Sequence, residues 1–270
     1  MIEFLQALIL GIIEGVTEFL PISSTGHLLL SQELMNFRDS HELFTVVIQV
    51  GAIAAVIWYY RKDLIVKTLG LLRKEKAAIN FWKILALGTI PAGAIGLAFD
   101  KISSAISVPL VIALALIVGG IILWLVDNKP VHGKDDPVDL EHITPRQALL
   151  IGLGQCVAMI PGISRSGATI VSGLAVKLNR PTATAFSFYL SIPVLVLASA
   201  YKLAKYSSDI PNITGGWASI AIGLVAAFFT ALFAISWLLR YITHHNFKPF
   251  AVYRIVLGAL ILCAIFFNVL

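Results

Sequence analysis

Apolar residues gather in long runs along this chain, and polar residues fall in short clusters between them. Positions 43–60, LFTVVIQVGAIAAVIWYY, form the first clear run. As a helix it reaches about 27 Å, enough to cross the hydrocarbon of a bilayer. Further runs at 81–99, 108–126, 185–203, 217–239 and 250–268 predict five more spans. The first run ends on Trp58-Tyr59-Tyr60, followed at once by Arg61 and Lys62, an aromatic and basic interfacial flank. Two other apolar stretches are broken. MIEFLQALILGII leads into EGVTEFLPISSTGH, where Pro21 ends the helix, and RQALLIGLGQCVAMIPGISRSGATIVSGLAV is interrupted at Pro161-Gly162. LLLSQELMNFRDSHE reads as a mixed connector, residues 61–80 as a basic loop with room for a surface helix, and 127–146 as the longest polar linker.

An internal repeat orders these parts. Gln6-Ala7-Leu8 and Gly11 recur at an offset of 141 as Gln147-Ala148-Leu149 and Gly152, and Ser23-Ser24-Thr25-Gly26 falls on Ser164-Arg165-Ser166-Gly167. Phe44 matches Phe186 at an offset of 142, and Pro109 matches Pro249 at 140. The expected architecture is all-α and polytopic: six transmembrane helices and two re-entrant helical hairpins arranged as an inverted repeat, with halves at 1–126 and 147–270. Basic residues support this arrangement. With the 61–80 loop cytoplasmic, the inner side holds Arg61, Lys62, Lys67, Arg73, Lys74, Lys76, Lys83, Lys129, Lys134, Arg146, Lys177, Arg180, Arg240 and Lys248. The outer side holds Arg38, Lys101, Lys202 and Lys205. A hairpin that crossed fully would move Lys177, Arg180, Arg240 and Lys248 outside, against the positive-inside rule.

Composition agrees. The 270 residues are 58% hydrophobic and 13% charged, against about 25% charged in soluble domains. The net charge of +5 lies in residues between apolar runs, which speaks for membrane topology rather than nucleic acid. Cys156 and Cys263 are far apart and lack metal-ligand spacing, and the N-terminus, with Glu3 and no basic n-region, does not read as a cleaved signal peptide.

Two hairpins entering from opposite faces bring their tips together near the midplane. One tip carries Ser23, Ser24, Thr25 and His27, and the other Ser164, Arg165, Ser166 and Thr169. An arginine among hydroxyls and helix N-terminal amides suits an anion, phosphate above all; the alternative is an ion pair of Arg165 with Glu14 or Glu18. Ser24 and Ser23 are candidate nucleophiles unless they serve as helix caps, and His27, three residues on, is a candidate base or a hydrogen-bonding tie. Glu14 and Glu18, one turn apart, either bind a divalent cation, activate the nucleophile or balance Arg165. His244-His245 reads as interfacial, and His132, Asp135 and Asp136 as part of a solvated turn. Arg254, within a span, requires a partner behind the site or in a lipid headgroup.

EGVTEFLPISSTGH and PGISRSGAT, at this separation, resemble the undecaprenyl-diphosphate phosphatase family of bacterial membranes, the bacitracin-resistance type, and the likeness covers the whole chain. It implies hydrolysis of the C55 polyprenyl diphosphate to the monophosphate carrier lipid of cell-wall synthesis. It implies Glu14, Glu18, Ser23, Ser24, Thr25, His27, Ser164, Arg165, Ser166 and Thr169 as site residues. It also implies a divalent cation (Mg or Ca), for which Glu14 and Glu18 are the candidate ligands, a homodimer, and a site in the cytoplasmic membrane opening to the outer face. A rival class is a lipid-phosphate flippase on the same inverted-repeat scaffold. A third, an intramembrane serine protease, has no use for two carboxylates facing an arginine.

Overall fold

A computed structural model of the chain describes residues 2–127 and 138–267, the side chains of 97–105 excepted. The expectations for Lys129, His132, Lys134, Asp135 and Asp136, and for the side chain of Lys101, lie outside the described residues. Among the described residues there are eleven α-helices and no strand.

Helix α1 (Ile2–Thr17) stops four residues before Pro21. The proline ring would strike the carbonyl of the residue four back, which is Thr17, so the helix ends there. α2 (Ser24–Met35) follows and closes on Asn36 in the left-handed region. The connector expected at 28–42 is therefore mostly helix. Leu28 is fully buried with Ala7, Leu10 and Phe44, and Leu29 and Leu30 pack against the cluster of Ile112 and Leu116, so tertiary packing carries the helix. α3 (Leu43–Tyr59), α4 (Arg61–Leu72), α5 (Lys76–Ile106) and α6 (Pro109–Val126) complete the first half. α4 fills the basic loop.

The second half opens on α7 (Pro145–Gln155), whose first residues lie inside the expected linker. Thr144 caps it in a reciprocal pair with Gln147, with Pro145 pre-set for the first turn. A 3-10 turn over Cys156–Met159 leads to the Pro161 break, then α8 (Arg165–Ala175), α9 (Arg180–Tyr206), α10 (Gly216–Ile242) and α11 (Lys248–Phe266). α9 begins five residues earlier than its hydropathy suggests. Asn179 caps it, and Arg180 is buried with Nε 2.6 Å from Asp127 Oδ1. The other Asp127 oxygen accepts the backbone N–H of Phe247, so the end of the first half is pinned to the starts of α9 and α11.

Six of these helices, α3, α5, α6, α9, α10 and α11, are long and apolar enough to span a membrane. Large apolar side chains such as Leu114, Phe229, Phe233 and Leu260 remain exposed on them, as a lipid-facing surface requires. Helices α1, α2, α7 and α8 have only 16, 12, 11 and 11 residues, short of the roughly 20 a span needs.

Helix α1 rests on α10 and α7 on α5, each a long helix of the opposite half. A Cβ added to Gly11 of α1 would come within 2.4 Å of Gly223 O on α10, and one added to Gly152 of α7 within 2.4 Å of Gly88 O on α5. Only glycine permits backbones this close. α6 lies along α11, and from α11 Arg254 reaches the two breaks.

Candidate active site

The site is built where the two hairpins turn. Ser23 and Ser164 immediately precede α2 and α8 and hold φ of 74° and 70°, a region that non-glycine residues seldom enter. Each hydroxyl accepts a backbone N–H three residues on, Gly26 N for Ser23 and Gly167 N for Ser164. Both serines therefore cap their helices. The capping turns present Ser24 and Arg165, the first residues of the two helices, to a common cleft together with the positive ends of both helix dipoles.

Glu18 lies in the turn between α1 and α2 and joins the two sides. Ser24 Oγ donates to Glu18 Oε2 at 2.5 Å, and an Nη of Arg165 donates to Glu18 Oε1 at 2.8 Å. The other Nη of Arg165 donates to Ser187 O at 3.0 Å, while its Nε is buried with no protein acceptor. The guanidinium also lies over Phe19, 5.8 Å from the ring centre. The ion pair and the cleft-lining arginine, framed as alternatives from sequence, thus coexist. One edge of Arg165 is held by protein, and its remaining N–H groups are available.

The other candidates are placed differently. His27 does not meet Ser24: Nδ1 lies 2.7 Å from Ser23 O and Nε2 2.7 Å from Tyr253 Oη, with the two rings stacked. The carbonyl requires Nδ1 to be the protonated nitrogen, leaving Nε2 to accept from the tyrosine. Thr25 lines the cleft. Ser166 donates to Leu20 O, crossing from one hairpin to the other, and Thr169 bonds Ser187 Oγ at 2.6 Å. Neither hydroxyl lines the cleft. Glu14, one turn before Glu18, is fully buried and neither oxygen has a hydrogen-bond partner. Among the described residues no three His, Cys, Asp or Glu side chains come together as a metal cage. His244 and His245 are exposed at the end of α10.

Of the two expectations for Arg254, the geometry gives the one behind the site: its partners are backbone carbonyls around the breaks. It is 1% exposed and donates to five carbonyls: Pro21, Ala115, Leu116, Gly162 and Ile163. Breaking the helices strips Pro21, Gly162 and Ile163 of helical partners, and one guanidinium from α11 satisfies all three.

The cleft has a volume of 590 Å³. From the breaks it runs past Gln49, Thr89 and Gln155, then between Gly93, Gly96 and Leu197 toward Tyr201 and Lys202. It follows the first turns of α3 and the last of α9, away from the end of α3 that leads to the basic α4. Sequence reasoning missed Ser187, Tyr253 and Gln155. Ser187 and Tyr253 had no visible signal in their apolar runs, whereas Gln155 stands opposite Glu14 at the repeat offset of 141.

The family described as bacitracin resistance protein BacA matches residues 7–260. The chain is 45% identical over 269 residues to an undecaprenyl-diphosphatase of Acinetobacter baumannii, covering 98% of this chain and 97% of that protein. It is 44% identical over 263 residues to undecaprenyl-diphosphatase 1 of Burkholderia thailandensis, covering 95% and 94%. It is also 44% identical over 269 residues to an undecaprenyl-diphosphatase of Deinococcus radiodurans, covering 97% and 96%.

Proposed function

The chain belongs to the bacitracin resistance protein BacA family and is a membrane-embedded phosphatase that hydrolyses undecaprenyl diphosphate, and from that premise we propose that Ser24 is its nucleophile and Glu18 its base. The observation that carries this reading is the 2.5 Å hydrogen bond between the two. Glu18 takes the hydroxyl proton as Ser24 Oγ attacks the terminal phosphorus, and the bond to the bridging oxygen breaks. The lipid monophosphate leaves and takes that proton. Water then attacks phosphoserine, again losing its proton to Glu18, and releases inorganic phosphate with Ser24 restored. Arg165, fixed on one edge by Glu18 and Ser187, turns its free N–H groups to the phosphoryl oxygens, where charge develops. The helix N-termini at Ser24 and Arg165 add to the same field. His27 does not move a proton in this scheme. It holds the Ser23 carbonyl, and with it the strained turn that aims Ser24.

The residues fit a divalent cation only of the kind that completes its shell with water and phosphate. Glu14, with two unpartnered oxygens, would hold it, with Glu18 one turn away. Such an ion, Mg or Ca, would neutralise the diphosphate.

A cleft of 590 Å³ is the size of a drug-like ligand site. It holds the diphosphate and the first prenyl units, while the rest of the tail lies in lipid. The short helices, the matched turns at Ser23 and Ser164 and the close glycine contacts support re-entrant hairpins in an inverted repeat. With α4 cytoplasmic under the positive-inside rule, the cleft of a bacterial inner-membrane enzyme opens to the outer face. Homodimerisation is a further proposal, carried by the family resemblance alone.

The test is release of inorganic phosphate from undecaprenyl diphosphate by purified protein in detergent with Mg²⁺ or Ca²⁺ present. Ser24→Ala should trap no phosphoenzyme and lose turnover, and near-normal turnover would leave direct attack by water. A flippase on this scaffold would have no use for a hydroxyl held by a carboxylate.

A further inference from the structure

Gln155 ends α7, is 2% exposed, and neither polar atom of its side chain has a hydrogen-bond partner. It lines the same cleft as Glu18, Ser24 and Arg165. A buried primary amide carries two donors and one acceptor, and leaving them unmade is costly. Packing alone would favour leucine or methionine here. The position is rigid: Gly152, one turn earlier, is pressed against Gly88, which fixes α7 on α5, and Gln155 lines the cleft, as does Thr89 of α5. Thr89 already donates to Leu85 O, whereas the donors of Gln155 are unmade. A diphosphate offers more acceptor oxygens than the uncommitted N–H groups of Arg165 can satisfy.

We propose that Gln155 is a further phosphate-binding residue, its Nε2 donating to a non-reacting oxygen of the diphosphate held by Arg165. This rests on the reading above that the phosphate sits against Ser24 and Arg165. Gln155 corresponds to Glu14 at the repeat offset, so each half sets a buried, unpartnered polar side chain just before its break. The two differ in charge in the sense a diphosphate and its cation require: the carboxylate suits the cation, and the neutral amide can approach the anion without repulsion. A contact to an oxygen that does not react holds ground state and transition state alike, so its loss appears in KM rather than kcat.

The experiment compares wild type, Gln155→Met, Gln155→Glu and Arg165→Met, each as the full chain in detergent. Steady-state kinetics use undecaprenyl diphosphate, and the shift of Tm by inorganic phosphate reports binding without turnover. Gln155→Met keeps the volume and removes the donors. Its Tm without phosphate should equal or exceed that of wild type, while KM rises about tenfold or more at nearly unchanged kcat. The phosphate-induced shift should shrink in parallel, and in Gln155→Glu it should vanish. Should Gln155→Met fail to fold, the phosphate shift of Gln155→Glu decides alone. A folded variant with wild-type KM and a wild-type phosphate shift overturns the role of Gln155. If Arg165→Met also keeps the full shift, the phosphate lies elsewhere and the reading it rests on fails too; loss in Arg165→Met alone condemns only Gln155.

Discussion

Ser24 Oγ lies 2.5 Å from Glu18 Oε2 across the turn that Pro21 creates, a contact no continuous helix would produce at this spacing. It predicts that the two residues act as a unit. Ser24→Ala and Glu18→Gln should each lower kcat by several orders of magnitude, with the lipid still bound, and the double variant should be little worse than either single one. Multiplied losses in the double variant would show that serine and carboxylate serve separate steps.

Arg165 separates charge from geometry. If it only balanced Glu18, Arg165→Lys would work tolerably, since lysine supplies the same charge. A clamp needs paired donors in a plane, which an ammonium lacks. Arg165→Lys should fold and insert normally yet lose about 10³-fold in kcat, the scale found for arginine fingers, with a smaller change in KM. Adding Glu18→Gln should not rescue it. Rescue would return this arginine to ion pairing.

The spans were legible because a bilayer demands long apolar runs, and sequence reports that directly. The break at Pro21 was legible for a similar reason, although the helix stops at Thr17, where the ring clash falls, rather than at the proline itself. The pairing of Ser24 with Glu18 was not legible. A non-helical turn carries the chain from one to the other, and helical spacing suggested His27 as the partner of Ser24 instead. Nor could spacing place Tyr253 or Arg254 against the hairpins, because those contacts join opposite ends of the chain and depend on how α11 packs. Gln155 was the reverse case: the repeat offset marked its position, but an amide in an apolar run did not look like chemistry.

Topology gives a prediction independent of catalysis. With Cys156 and Cys263 replaced by serine or alanine, a single cysteine in α4, such as at Lys62, should be labelled only from the cytoplasm. One at Ser208, beyond the mouth of the cleft, should be labelled only from outside. Labelling of both from one side would refute the inverted arrangement.

A cation held at Glu14, as proposed above, predicts a specific metal dependence. Both its oxygens are buried and unpartnered, whereas those of Glu18 are taken by Ser24 and Arg165. Glu14→Gln should raise the Mg²⁺ or Ca²⁺ concentration required for half-maximal activity about tenfold or more, and chelation should silence wild type reversibly. Unchanged metal dependence in a folded Glu14→Gln protein would move the cation off this carboxylate.

Arg254 does not itself line the cleft, yet it holds both breaks, donating to Pro21 O on one hairpin and to Gly162 O and Ile163 O on the other. Among the described residues its partners are carbonyls and no carboxylate, so its buried charge is balanced by dipoles. Arg254→Met fills the volume but leaves carbonyls at the breaks without donors, each costing about 1–3 kcal/mol. The variant should lose Tm and kcat together, because Ser24 and Arg165 follow directly on the turns it releases. Lysine should restore little, since a point charge cannot reach both hairpins at once. A change made without touching the arginine sharpens the argument. A Cβ at Gly119 would lie 2.0 Å from an Nη of Arg254, so Gly119→Ala must displace the guanidinium while every charge remains. Gly119→Ala should therefore lower kcat in the same manner as Arg254→Met. Full activity in a folded Gly119→Ala protein would mean the breaks hold their shape without this tie.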